Sequence, residues 1–192
     1  MATVLDKSYG TPNYETQGGA VWEIGGTLDI ARASGGKLTI DGVDATPLIA
    51  GQIATQGAGS TLALTVAANN KQTIKLDTAG GSAVTLPPAT GSGASFKFIV
   101  SVLATSAAHV VSAAGTDVMI GAISGARIDS GNAVLGFAAQ STSNTITLNR
   151  TTTGSVSLGE YLSVEDVAAG IWEVSGFLTA TGAAFATPFS HV

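Results

Sequence analysis

The chain has 192 residues, of which 45% are apolar and only 11% charged, and its eight Lys and Arg against 13 Asp and Glu give a net charge of -5. A soluble domain averages about 25% charged residues, so this chain has little with which to cover a fully solvated surface of its own. The scattered basic residues exclude a nucleic-acid footprint, and the lack of cysteine excludes disulfides and thiolate metal sites. The simplest resolution of the low charge is burial against further copies or a larger assembly.

Residues 1–10, MATVLDKSYG, carry neither a basic n-region nor an apolar h-region and do not read as a secretory signal. Residues 1–15 read as an N-terminal arm without strand alternation, whose Tyr9 and Tyr14 suit docking on a neighbour. Residues 16–58 form a Gly-rich unit with an internal echo. Gly25-Gly26-Thr27-Leu28-Asp29-Ile30 recurs as Gly35-Gly36-Lys37-Leu38-Thr39-Ile40, each a Gly-Gly turn followed by apolar–polar alternation. This predicts a β-hairpin or prism-like unit, closed by the turn Asp41-Gly42-Val43-Asp44, which gains most by winding with sister chains. Thr46 to Ser60, uncharged and holding Pro47, Gly51, Gly57 and Gly59, is the linker.

Residues 59–192 read as a β-sandwich of jelly-roll type, from short strands broken by turn signals. The predicted strands are Thr61–Ala67, Gln72–Asp77, Ala83–Leu86, Ser95–Leu103, His109–Ala113, Val118–Ile123, Arg127–Asp129 and Ala133–Ala138, then Asn144–Asn149, Ser155–Leu158, Tyr161–Val164 and Ile171–Thr179. The uncharged run Phe98–Thr116 is too polar for a membrane span and fits two strands around a turn at Ala104–Ala108. No segment shows a sustained helical period.

Three segments carry a resemblance. Thr16-Gln17-Gly18-Gly19-Ala20-Val21-Trp22-Glu23-Ile24-Gly25-Gly26-Thr27-Leu28, Val84-Thr85-Leu86-Pro87-Pro88-Ala89-Thr90-Gly91-Ser92-Gly93 and Gly159-Glu160-Tyr161-Leu162 to Gly170-Ile171-Trp172-Glu173-Val174-Ser175-Gly176 resemble stretches of tailed-bacteriophage head decoration (cement) and head-fibre proteins. The resemblance implies a trimeric all-β protein on a capsid lattice, with no cofactor, no metal and no chemistry. Read physically, Pro87-Pro88 fixes an extended exit from a strand before a Gly-rich turn, and Trp172, alternating with Val174, is a core anchor. Trp22, in a segment with little local core, suits a trimer-axis or capsid contact.

The residues that might carry chemistry are few. His109 sits in a Val-rich strand as a satisfied core or interface histidine, and His191 is solvated. Glu160, Glu165, Asp166 and Glu173 are the densest acidic cluster. Glycoside hydrolysis would need two such carboxylates flanking a sugar, but their place at strand ends and a turn reads as a solvated or calcium-tuned rim. No nucleophile elbow, P-loop or zincin motif occurs.

The expectation is therefore a non-enzymatic virion protein. It would be made in the host cytoplasm and bind the exterior of the assembled head as a homotrimer, with the major capsid protein as partner and neither nucleic acid nor membrane involved. Its interface candidates are Tyr9, Tyr14, Trp22, Ile24, Leu28, Ile30, Leu38 and Ile40. The alternative is a head-fibre or tail-fibre module recognising a host surface glycan.

Overall fold

The computed structural model describes residues 13–15, 22–24, 39–40, 43–44, 55–129, 134–181 and 185–192. The chain divides into two units, Met1–Thr46 and Pro47–Val192.

In the first unit, β1 (Asn13–Glu15) pairs antiparallel with β2 (Trp22–Ile24), in the register Asn13↔Ile24, Tyr14↔Glu23 and Glu15↔Trp22. β3 (Thr39–Ile40) pairs antiparallel with β4 (Val43–Asp44), in the register Thr39↔Asp44 and Ile40↔Val43. The first copy of the Gly-Gly echo lies outside the described residues.

The second unit is built from two mixed sheets. Its elements in chain order are β5 (Thr55–Gly57), β6 (Thr61–Ala63), α1 (Val66–Asn69), β7 (Thr73–Leu76), β8 (Ala83–Thr85), β9 (Ser95–Val100) and β10 (His109–Ser112). They are followed by β11 (Val118–Arg127), β12 (Val134–Ala138), β13 (Thr145–Leu148), β14 (Tyr161–Ala168), β15 (Ile171–Ala180) and β16 (Phe189–Ser190). One sheet runs β12-β11-β15-β14-β9-β7-β5 and the other β16-β13-β10-β8-β6.

From β5 to β10 the chain alternates between the sheets, and each circuit lays a strand parallel to the one before it. β5, β7 and β9 are parallel neighbours in one sheet, and β6, β8 and β10 in the other. The crossover that a parallel pair requires is here supplied by a strand of the opposite sheet rather than by a helix. After β10 the pairing changes: β14 runs antiparallel between β9 and β15, β13 antiparallel between β10 and β16, and β11 parallel to β15. The all-β expectation holds. A jelly roll would pair its strands antiparallel throughout, and these parallel pairs are where the observed topology departs from one. The strand β5, which the sequence reading grouped with the Gly-rich unit, pairs with β7 in the second unit.

Both sheets bury alternate residues into one hydrophobic cluster. Ile74, Leu76, Phe96, Phe98, Leu162, Val164, Trp172 and Val174 come from one sheet and Val84, Val111, Ile146 and Leu148 from the other. Each large side chain removed from water there contributes about 1.5–3 kcal/mol. Trp172 is fully buried, as its alternation with Val174 requires, with its ring 5.8 Å from that of Phe96.

The expected strand Thr61–Ala67 ends early, because Thr65 caps a single turn of helix. Its side chain accepts from the Ala68 N–H, while Asn69 Oδ1 accepts from the Thr65 N–H at 3.0 Å. The predicted Val118–Ile123 runs on as the single strand β11 to Arg127, and Ile128 and Asp129 of the predicted Arg127–Asp129 form a bend instead of a strand. Ser155–Leu158 forms no strand, since its backbone N–H groups turn onto a carboxylate described below. The run Phe98–Thr116 does hold two strands, the end of β9 and β10, and no helix of the described residues is long and apolar enough to cross a membrane.

Candidate interaction surface

Strand β14 carries the alternation Leu162, Val164, Asp166 on its inward face, with Glu160 one step before it, and all four are buried. A carboxylate in that position must find donors or remain protonated. Asp166 finds them in the Gly-rich turn of the distant segment 90–92. The Gly91 N–H donates to Oδ1 at 2.7 Å, the Ser92 N–H to Oδ2 at 3.0 Å, and the Thr90 N–H to both oxygens at 3.0 Å. The Ser92 and Thr90 hydroxyls add bonds of 2.7 and 3.2 Å. Gly91 makes this possible with φ of 79°, a conformation that costs a residue with a Cβ. Burial pushes the Asp166 carboxyl up, but the hydrogen bonds from Thr90, Ser92 and Gly91 outweigh it and hold the group well below the usual carboxylate range. The preceding Ala89 N–H donates to Asp117 Oδ2 at 2.7 Å. Successive N–H groups from Ala89 to Ser92 are thus divided between two carboxylates.

Glu160 does the same for its own neighbourhood. The Ser155 N–H donates to Oε2, and those of Val156 and Ser157 to Oε1, all at 2.7 Å; the Thr179 hydroxyl donates to Oε1 at 2.5 Å. The turn is closed from the other side by Ser155 Oγ, which accepts the Ala104 N–H at 2.9 Å. Glu160 and Asp166 are therefore not part of a solvated or calcium-tuned rim, as the sequence suggested. They are interior loop anchors, with their acceptor sites occupied by the protein itself.

His109 is fully buried and satisfied. The Ser82 N–H donates to Nδ1 at 3.0 Å, which fixes the tautomer in which Nε2–H donates to the Val102 carbonyl at 2.9 Å. Desolvation lowers its pKa, against opposing contributions from the Val102 hydrogen bond, Asp77 and Glu160. The remaining acidic residues, Glu165 and Glu173, lie directly across from each other on β14 and β15, on the outward face. Burial, with the Glu165 charge second, raises the Glu173 pKa. Among the described residues no group of three His, Asp or Glu side chains is placed to hold a metal ion. A cleft of about 410 Å³ is lined by Thr116, Asp117, Thr142, Asn144 and His191 among others. Asp117 is already engaged there by Ala89, and Asn144 holds the Val192 backbone.

What distinguishes the surface is the outward side of the larger sheet. Cross-strand register lines up Ile99, Tyr161, Phe177, Ser124 and Gly136 in one row. Lys97, Ser163, Ser175, Ala122 and Ala138 form the next, and Glu165, Glu173 and Ile120 a third. Small side chains dominate, with Ile120, Tyr161 and Val167 exposed among them and Lys97 Nζ lying 5.4 Å from the Tyr161 ring centre. The sheet ends at β12, where Val134 and Leu135 are also exposed. None of these residues was singled out from the sequence as an interface. The available signal was the run Val134-Leu135-Gly136-Phe137-Ala138, without a charged or polar side chain on either face.

Of the interface candidates that were singled out, Tyr14 lies in β1 opposite Glu23, Trp22 in β2 opposite Glu15, Ile24 in β2 opposite Asn13, and Ile40 in β3 opposite Val43. The β1–β2 pairing brings Tyr14, Trp22 and Ile24 into one ladder. Tyr9, Leu28, Ile30 and Leu38 lie outside the described residues.

Comparison with protein-family models, with curated proteins and with solved structures finds no match.

Proposed function

We propose that the chain is a non-enzymatic component of a tailed-phage virion, a homotrimer that binds the outside of the assembled head, contacts the major capsid protein and stabilises the lattice. The observation that carries this reading is the chemistry of the outward sheet face. In a chain with 11% charged residues, that face presents small side chains with exposed Ile120, Tyr161 and Val167, a surface suited to burial in an assembly. The resemblance of Val84–Gly93 and Gly159–Gly176 to stretches of head decoration proteins supports it; within the fold these two segments meet at Asp166.

Mechanistically, a protein that binds only the assembled shell stabilises it by linkage, and three attachment points on one trimer multiply weak contacts. The first unit, with Tyr14 and Trp22, serves as the attachment part. Immunogold labelling of purified virions, with co-sedimentation of the purified protein on emptied heads, tests the reading. Gold distributed over the head with saturable co-sedimentation is the expected result. Label confined to the tail would move the chain to a glycan-recognising fibre, and no label at all would remove it from the virion.

A further inference from the structure

The two sides of β12 differ. The Ala139 N–H donates to the Gly121 carbonyl at 2.9 Å, and the ladder continues in register through Ile123↔Phe137 and Gly125↔Leu135. Antiparallel ladders alternate, so the backbone groups of Leu135 and Phe137 point to β11, and those of Val134, Gly136 and Ala138 point away from it. The Val118 N–H to Gly170 and Ile128 N–H to Ala180 bonds agree, because they turn the even-numbered residues of β11 and its continuation towards β15. The outward groups of β12 meet no described strand.

Sheet edges are ordinarily blunted with Lys, Pro, a bulge or very short length. β5 and β6 have three residues and β16 two, whereas β12 has five, with no charge, no proline and no register shift. Val134 is 63% and Leu135 42% exposed. Gly136 lies at the centre, with open space where a Cβ would stand.

We infer that β12 is a self-complementary docking edge, and that its partner is β12 of a second copy of this chain, paired antiparallel about a two-fold axis through Gly136. The argument for a second copy is the register. With Gly136 opposite Gly136, Val134 falls opposite Ala138, and every outward N–H and C=O of Val134, Gly136 and Ala138 gains a partner. The same register sets Leu135 against Phe137, an aliphatic–aromatic cross-strand pair on the inward side, and Val134 against the small Ala138 on the outward side. No charge is left facing another, and the interface is isologous, as a two-fold requires. This inference deepens the proposed function without depending on the same contacts: the first unit supplies attachment, and the two-fold edges pair one particle with a single second particle.

The test uses the full chain carrying Gly136→Lys or Gly136→Glu. Gly136 is exposed, has no positive φ, and its Cβ would meet nothing, so either side chain is accommodated in the fold. Each variant alone places like charges across the axis, whereas a mixture places opposite ones there. Mass photometry and sedimentation velocity over a concentration series should show the wild-type particle doubling in mass. Each variant alone should stay at the undoubled mass with unchanged melting, and the mixed variants should recover the doubling. Wild type that never doubles, variants that double alone, or a mixture that fails to recover would each overturn the inference. Protection of β12 amides from exchange only after heads are added would do so too, by assigning the edge to a capsid strand. Head co-sedimentation run on the same samples separates the two ideas. Binding without doubling defeats the edge and leaves the decoration reading intact, while doubling without binding does the reverse.

Discussion

The two ends of β14 solve one problem in two ways. At its start Glu160 and near its end Asp166 are buried carboxylates, each accepting the N–H groups of three successive loop residues together with at least one hydroxyl. Glu160 takes its backbone donors from three to five residues away, and Asp166 takes its own from 74 to 76 away. The chemistry is the same and the topology is not. The local anchor shapes a loop within a single connection, whereas the distant one ties the β8–β9 connection to the β14–β15 pair and so couples the coil from β5 to β10 to the strands that follow it. Loss of the distant anchor should therefore cost more, because closing that contact organises far more chain.

The strongest way to break this comparison is Asp166→Ala. Hydrogen bonds to a charged group contribute about 1.5–3 kcal/mol, and removing the acceptor strands several donors at once. We expect a loss of about 3 kcal/mol in urea unfolding followed by Trp172 fluorescence in a Trp22→Phe background. Amide exchange should rise at Thr90, Gly91 and Ser92 and stay unchanged at Ser155–Ser157. Equal exchange at both loops would mean that Asp166 acts on general stability and not as an anchor of its own loop. Glu160→Gln, which keeps the shape but replaces one acceptor oxygen by a donor amide, should cost about 2 kcal/mol and free Ser155–Ser157 instead.

Sequence alone revealed the faces of the strands far better than their neighbours. Alternation placed Trp172 and Val174 on one inward face, and the predicted strands Gln72–Asp77 and Ser95–Leu103 contain the inward Ile74, Phe96 and Phe98, since a period of two is a local property. The same alternation is identical for parallel and antiparallel partners, so the coil from β5 to β10 was invisible in it. Asp166 shows the limit most clearly. Its place on the inward face was legible in Leu162-x-Val164-x-Asp166, but its donors lie in a segment that no local spacing connects to it. The acidic run Glu165-Asp166 therefore read as a turn. Ser155–Leu158 failed for the opposite reason: its residues suit a strand, but Glu160 claims the N–H groups that a ladder would have used. The β12 edge was likewise recognisable only once its missing neighbour was known.

Acid titration sharpens the comparison further. Asp166 stays ionised in the fold below the pH at which the unfolded carboxyl takes up a proton, near its ordinary value of 3.8. Its contribution is therefore complete above that value and declines as pH falls towards the depressed folded-state value. His109 carries the same sign at a higher pH. Its folded pKa lies below the ordinary 6.5, so the stability it contributes is complete above 6.5 and is lost as pH falls through the folded value. Stability should fall on acidification in two stages. His109→Asn should flatten the first, which begins as pH falls below 6.5, and Asp166→Asn the second, which begins as pH falls below the ordinary carboxyl value of 3.8. Urea midpoints at half-unit pH intervals would show this, and a single stage common to both variants would contradict it.

The smallest expected effect has the opposite sign. Glu173 faces Glu165 directly across β14 and β15, and its raised pKa means that the folded state holds its proton more tightly than the unfolded chain does. Burial of the Glu173 charge, with the facing Glu165 second, therefore costs stability at neutral pH, and the cost is relieved as pH falls through the raised value towards that of the unfolded chain. Like charges directly opposite on a sheet are unfavourable by up to about 1 kcal/mol, and an exposed pair is screened by salt. Glu173→Gln should accordingly stabilise the second unit by about 0.5 kcal/mol in low salt, with the Glu165 part of the gain screened in molar NaCl, the burial part remaining, and the whole gain shrinking as pH falls into the ordinary carboxyl range. A buried anchor such as Asp166 should be nearly insensitive to the same salt. If Glu173→Gln were destabilising instead, the outward carboxylate pair would be held by a partner that favours its charge, and the acidic row beside Ile120 would belong to the docking surface rather than merely border it.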